Sequence, residues 1–143
     1  MTDPIAHLPR LSAEKLAAVP KWALLQRQIF KALDAAAIEY ADRYTRDDGT
    51  LIWRDRWPGM DGSDDPYEGF MNMPLFYARG GSEEVYKRSR TIWDGITWQW
   101  TEYGQIHREF DAYYDWMHHG ESNLFFYFFG LADPNVPKDR LRT

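Results

Sequence analysis

The residues best suited to chemistry lie close together in the C-terminal third of the chain. They are two carboxylates and two histidines: Asp115, His118, His119 and Glu121. A carboxylate near a histidine forms a general acid–base pair with a pKa close to the working pH. We therefore predict these four as catalytic candidates. In the alternative interpretation, Asp115 caps the helix that follows while one histidine packs against Trp116.

The same side chains also bind metal ions, but their spacing argues against it. His118 and His119 are adjacent, so their side chains diverge in a helix or a strand, and the spacing matches no metal signature. The chain has no cysteine, which excludes disulfides, thiolate metal sites and thiol nucleophiles. No phosphate loop, serine elbow or dinucleotide fingerprint is present. We predict no metal and no cofactor.

A second group of residues is suited to contact a substrate. It combines aromatic rings, acids and an arginine from two long connections: Trp53, Arg54, Trp57, Asp61, Asp64, Tyr113 and Trp116. Aromatic faces stack on a pyranose ring, and a guanidinium matches the carboxylate of a uronic acid. Other interpretations remain open, because each aromatic residue suits a core and Asp61 and Asp64 suit turns. Arg54 could equally pair with Asp55 or Asp61.

Helices must position these residues, since no strand pattern is convincing. Apolar residues recur at spacings of three and four along 21–45: Trp22, Leu25, Ile29, Leu33, Ala37, Tyr40 and Tyr44. We expect this stripe to face the core. A helix from Asp65 to about Arg79 follows, begun by a capping box and kinked at Pro74.

Two more helices complete the prediction. Ser82 caps the first, whose stripe of Val85, Ser89, Ile92, Ile96 and Trp100 should be buried. The last, about 121–131, is apolar on every side, so we expect neighbouring helices to enclose it. Tight and long connections alternate between the helices. The pattern therefore predicts an all-α fold of stacked helical hairpins, with an N-terminal arm (1–20), hairpins (21–134) and a tail (135–143) in one domain.

Three segments resemble the opening part of bacterial six-hairpin glycosidase-like proteins: residues 53–65, 67–70 and 113–121. The resemblance covers roughly residues 20–134. It implies an (α/α)6 toroid whose loops at one end form a carbohydrate cleft, and a glycoside hydrolase acting on an oligosaccharide. Two hairpins cannot close a six-hairpin ring. The resemblance therefore implies either an N-terminal portion of a longer chain or a homo-oligomer that completes the core.

Two alternatives stand beside hydrolysis. On a related toroid, a polysaccharide lyase would use a histidine or Tyr113 to abstract a proton beside a uronate carboxylate. A non-catalytic fragment would only bind sugar or self-associate. The net charge of −5 argues against nucleic acid as a partner. No basic amphipathic or long apolar stretch predicts membrane contact, and no secretory signal is visible, so we expect a cytoplasmic protein.

Overall fold

A computed structural model describes residues 19–52, 65–102, 106–107, 111–112 and 119–142. This part of the chain is mostly helical, and the predicted all-α class of stacked helices is confirmed. Two strands of two residues each pair antiparallel, Ile106 with Ala112 and His107 with Asp111. In chain order, the elements are α1 (Lys21–Tyr44), α2 (Asp65–Glu68), α3 (Asn72–Ala78), α4 (Glu83–Glu102), β1 (Ile106–His107), β2 (Asp111–Ala112), α5 (His119–Ala132) and α6 (Pro137–Arg142).

The first helix has the predicted length, but its predicted orientation is wrong. Its large apolar side chains are exposed, including Trp22 at 67% and Ile29 at 57%. The flank that packs on the rest of the domain holds Ala41, with Ala37 and Ile38 partly buried beside it. The spacing of apolar residues shows which side of a helix is apolar. On α1 this apolar side is wider than the surface that the other helices cover, so part of it is exposed to solvent.

The helix predicted from Asp65 to Arg79 is divided into α2 and α3. The interruption covers residues 69–71, ahead of the expected kink at Pro74. Pro74 consequently lies in the first turn of α3, where its missing N–H costs no helical hydrogen bond. The Met73 N–H donates to the Phe70 carbonyl at 2.9 Å across the junction.

The central element is α4, on which the core is assembled. Its predicted stripe of Val85, Ser89, Ile92, Ile96 and Trp100 is buried, as expected. Ser82 caps the helix as predicted, because its hydroxyl accepts a hydrogen bond from the Val85 N–H at 3.4 Å. The Asp34 carboxylate of α1 accepts from the Ser82 N–H at 2.8 Å, which ties α1 to the start of α4.

The last long helix is not enclosed on every side. Phe125, Phe126 and Phe129 of α5 are buried between α3 and the Trp93 ring of α4, whereas Leu124, Tyr127 and Leu131 are exposed. A uniformly apolar helix carries no signal about which face the neighbours cover, so the sequence did not resolve this. Part of the predicted tail then forms α6, whose Asp139 is only 1% exposed.

Candidate functional site

Most of the predicted site residues lie outside the described part of the chain. These are Trp53, Arg54, Trp57, Asp61, Asp64, Tyr113, Asp115, Trp116 and His118. His119 and Glu121 belong by their backbone to the first turn of α5, but their side chains are not described. The grouping of these residues into one site therefore remains a prediction. What the structure does establish is the position of the residues at which both connections begin and end.

The first connection starts from a loop clamped onto α4. The side-chain amide of Gln99 accepts from the Leu51 N–H at 2.8 Å and donates to the Leu51 carbonyl at 3.2 Å. Both residues are buried, and the Gln99 amide satisfies the backbone N–H and carbonyl of Leu51 as a neighbouring strand would. The Arg46 guanidinium donates to the same carbonyl at 2.6 Å from the other side of the loop. Residue 52, where the first connection begins, is thus fixed near the C-terminal end of α4.

The turn preceding Leu51 lies directly against the backbone of α4. Gly49 has a φ of +84°, a conformation that glycine adopts without strain. A Cβ on Gly95 of α4 would lie 2.3 Å from the Gly49 carbonyl carbon. Thr50 donates to the Asp48 carboxylate from its hydroxyl at 2.7 Å and from its N–H at 3.0 Å, and these bonds lower the pKa of Asp48. The turn is therefore held in one geometry by sterics and by its own hydrogen bonds.

The same connection ends at α2, which is fixed to the same part of α4. The Tyr67 hydroxyl shares a hydrogen bond of 2.9 Å with the Thr97 hydroxyl, and Tyr67 is 1% exposed. Tyr67 is therefore a core residue. Burial raises the pKa of the Tyr67 phenol above its ordinary value, partly opposed by the bond to Thr97.

The second connection also begins and ends near this point. It leaves α4 after Glu102 and enters α5 at His119. The ring of Phe129 contacts Tyr86 at 6.0 Å, and that of Phe125 contacts Trp93 at 5.4 Å, so α5 runs antiparallel to α4. The start of α5 consequently points toward the C-terminal end of α4. All four ends of the two connections converge there.

A cleft of about 490 Å³ lies at the opposite end of α4, between α1 and the turn that precedes α4. Its lining combines Trp22 and Phe30 with three cations, Arg27, Lys31 and Arg79. Within the described part of the chain, none of these cations forms an ion pair. Asp34 also lines the cleft, with its carboxylate bonded to the Ser82 N–H. Because α4 has 20 residues, about 30 Å separates the cleft from the converging ends.

Sequence reasoning missed the residues that organise both ends of α4. Gly95 could have indicated the close approach of a loop to α4, because a glycine inside an otherwise regular helix often marks such a contact. Gln99 lies one turn later on the same face, which would have placed a loop there. Arg27, Lys31 and Arg79 carried no such signal, since they meet only through the packing of α1 on the α3–α4 turn.

The chain belongs to a family described as a domain of unknown function (DUF8034), whose model matches residues 11–143. No curated protein matches the chain, and no solved structure matches it. Among the described residues, no helix is long and apolar enough to cross a membrane. The same residues contain no group of three or more His, Asp or Glu side chains placed to hold a metal ion.

Proposed function

We propose that the protein hydrolyses an oligosaccharide at the C-terminal end of α4. The observation that carries this proposal is the convergence of residues 52, 65, 102 and 119 at that end. The two connections between them hold the acids, histidines and aromatic residues that resemble six-hairpin glycosidase-like proteins. Loops that connect rigid helices at one end of a helical stack are a common location for binding and catalytic residues.

In this proposal, Asp115 or Glu121 supplies the catalytic carboxylate, with His118 or His119 as its proton partner. Glycosidases use two carboxyl groups, one as the acid and the other as nucleophile or base. Trp53, Trp57 and Trp116 are the proposed platform for the sugar rings. Support for the position of this group comes from Gln99 and Tyr67, which fix the two ends of the first connection on α4.

The test is a turnover assay of the full chain on a panel of neutral and uronate-containing oligosaccharides. Release of new reducing ends is expected, and Asp115→Asn or Glu121→Gln should lower kcat about 10²–10⁴-fold, the usual contribution of a general acid or base. Glu84→Gln is the matched control, since Glu84 is exposed in the first turn of α4, at the opposite end. It should leave kcat unchanged.

Other outcomes separate the alternatives. A product with the ultraviolet absorbance of an unsaturated uronate would replace hydrolysis by elimination, and the enzyme would be a lyase. Affinity without any turnover across the panel would contradict both enzymatic proposals and favour a sugar-binding module. Equal loss of activity in the Glu84→Gln control would show that the effect of Asp115→Asn is not specific.

The cleft at the other end of α4 favours a second function, the binding of an anionic ligand that carries a ring. The three cations have no ionic partner among the described residues, and a bound carboxylate would reduce their mutual repulsion. Arginine binds a carboxylate through two parallel hydrogen bonds, while the indole of Trp22 offers a face for a sugar ring. An acidic monosaccharide or oligosaccharide fits both features.

Calorimetric titration with glucuronate, and with glucose as the neutral control ligand, tests this second function. Glucuronate should bind with an affinity that falls as salt rises, and Arg27→Gln or Arg79→Gln should weaken binding about tenfold, as expected for loss of one charge-assisted hydrogen bond. Lys87→Gln is the control, because Lys87 is exposed and pairs with Glu83 at 2.9 Å. Equal affinity for glucose and glucuronate would contradict the proposed role of the cations.

A further inference from the structure

Among the described helices, α1 leaves the most large apolar side chains exposed. Its outward face consists of six exposed residues, here called the α1 stripe: Trp22, Leu25, Ile29, Leu33, Ala36 and Tyr40. Soluble proteins seldom leave so many large apolar side chains in one continuous row, and such rows mark interaction surfaces. The order of these residues and the charges beside them indicate what covers the stripe.

The residues of the α1 stripe are spaced almost symmetrically about the middle of the helix. Trp22 and Tyr40 lie near its ends, eighteen residues apart, which is five full turns of an α-helix. Ile29 and Leu33 lie on either side of its middle. A second copy of α1 running in the opposite direction would therefore place Trp22 on the partner's Tyr40 and Ile29 on the partner's Leu33. Such self-complementarity is the requirement for a two-fold symmetric interface.

The charges along α1 favour the same antiparallel pairing. The half from 21 to 31 carries three cations and no acid, whereas the half from 32 to 44 carries three acids and one arginine. Two of these acids are engaged within the chain, since Asp34 accepts from the Ser82 N–H and Asp42 pairs with Arg88. Glu39 is therefore the acid that can pair across the interface. Lys21 and Glu39 are also five turns apart, so they flank the stripe on the same side. Antiparallel pairing brings each lysine beside the glutamate of the partner and opposes the two helix dipoles.

We infer that α1 forms an antiparallel homodimer through the α1 stripe, with the two-fold axis near residue 31. This interface is independent of the proposed hydrolysis, because it lies outside the site at the C-terminal end of α4. It shares Trp22 with the cleft, so dimerisation and ligand binding in the cleft compete for that side chain. The dimer interface explains why α1 has large apolar side chains on the side that faces away from the core of its own domain. The interface has large aromatic anchors at its ends and aliphatic residues at its centre.

Light scattering on a size-exclusion column tests the dimer. The intact chain should have twice its monomer mass of 16.9 kDa. Ile29→Glu should raise the dissociation constant about a hundredfold or more, because each dimer would bury two unpaired carboxylates. Leu131→Glu on α5 is the matched control, as Leu131 is also an exposed apolar residue (61%) and lies outside the stripe. Circular dichroism checks that both variants remain folded.

Disulfide trapping tests the direction of the helices. The chain has no cysteine, so each introduced thiol reports only on its own position. When Trp22→Cys and Tyr40→Cys proteins are mixed and oxidised, the mixed 22–40 disulfide should dominate. Parallel helices would instead join 22 to 22 and 40 to 40, which would overturn the antiparallel arrangement.

Charge reversal provides a third readout that leaves the apolar contacts intact. Lys21→Glu should weaken the dimer about two- to fivefold per exposed pair, and Lys21→Glu combined with Glu39→Lys should restore it. A monomeric intact chain would overturn the inference, whether solvent or another segment covers the stripe. A dimer that survives Ile29→Glu but not Leu131→Glu would also overturn it.

Discussion

Gly95→Ala should be among the most damaging single substitutions in the protein. The added Cβ would meet three backbone atoms of the loop: the Gly49 carbonyl carbon at 2.3 Å, the Asp48 carbonyl oxygen at 2.5 Å and the Thr50 nitrogen at 2.6 Å. Backbone cannot rotate away as a flexible side chain does, so either the loop or α4 must shift. Overpacking of this kind costs about 3 kcal/mol or more, which outweighs the gain of about 1 kcal/mol in helix propensity.

We expect the free energy of unfolding to fall by about 2–4 kcal/mol, and Tm by about 10 °C, in thermal denaturation. Asp94→Ala is the matched control, because Asp94 is the adjacent, exposed residue of the same helix. It should change the free energy of unfolding by no more than about 0.5 kcal/mol. Hydrogen exchange adds a local measurement, since displacement of the loop should expose the Leu51 N–H that Gln99 now binds. An unchanged Tm with a protected Leu51 amide would contradict the close packing.

The second large effect concerns the ion pair that docks α6. The Asp139 carboxylate accepts two hydrogen bonds from the Arg90 guanidinium, one from Nη1 and one from Nη2. The same guanidinium donates to the Tyr86 hydroxyl and lies over the Phe129 ring, 4.4 Å from its centroid. Burial alone would lower the pKa of Arg90, but the bonds to Asp139 and Tyr86 outweigh it and hold the pKa above its ordinary value. Arg90 therefore stays charged and needs its counter-ion.

Asp139→Asn should destabilise the fold by about 3 kcal/mol in chemical denaturation, because it leaves a partly buried cation without a carboxylate. The estimate lies at the low end of the range for buried pairs, since solvent still reaches 29% of the Arg90 side chain. Arg90→Met combined with Asp139→Leu removes both charges and should recover most of the loss. Equal destabilisation in the single and double variants would contradict the role of the uncompensated charge. Hydrogen exchange would show whether α6 detaches before the rest of the domain unfolds.

The prediction of the helices succeeded where local signals act. Ser82 caps α4 and Pro20 immediately precedes α1, because capping and proline chemistry depend on the next few residues only. The buried stripe of α4 was also predicted correctly, since its apolar arc is narrow enough to have one orientation. The division between α2 and α3 was misplaced, because Pro74 indicates an interruption without specifying on which side it falls.

The sequence by itself determined the all-α class, the extents of α1 and α4, and the acidic and aromatic character of both long connections. Only the tertiary structure decided which side of α1 and α5 is covered. The apolar pattern of a helix shows which residues are suited to burial, but it does not show how much surface of the neighbouring helices packs against them. The tertiary structure also brought together partners far apart in the chain, such as Gln99 with Leu51 and Arg90 with Asp139. Such long-range pairs depend on how helices cross, which no local pattern encodes.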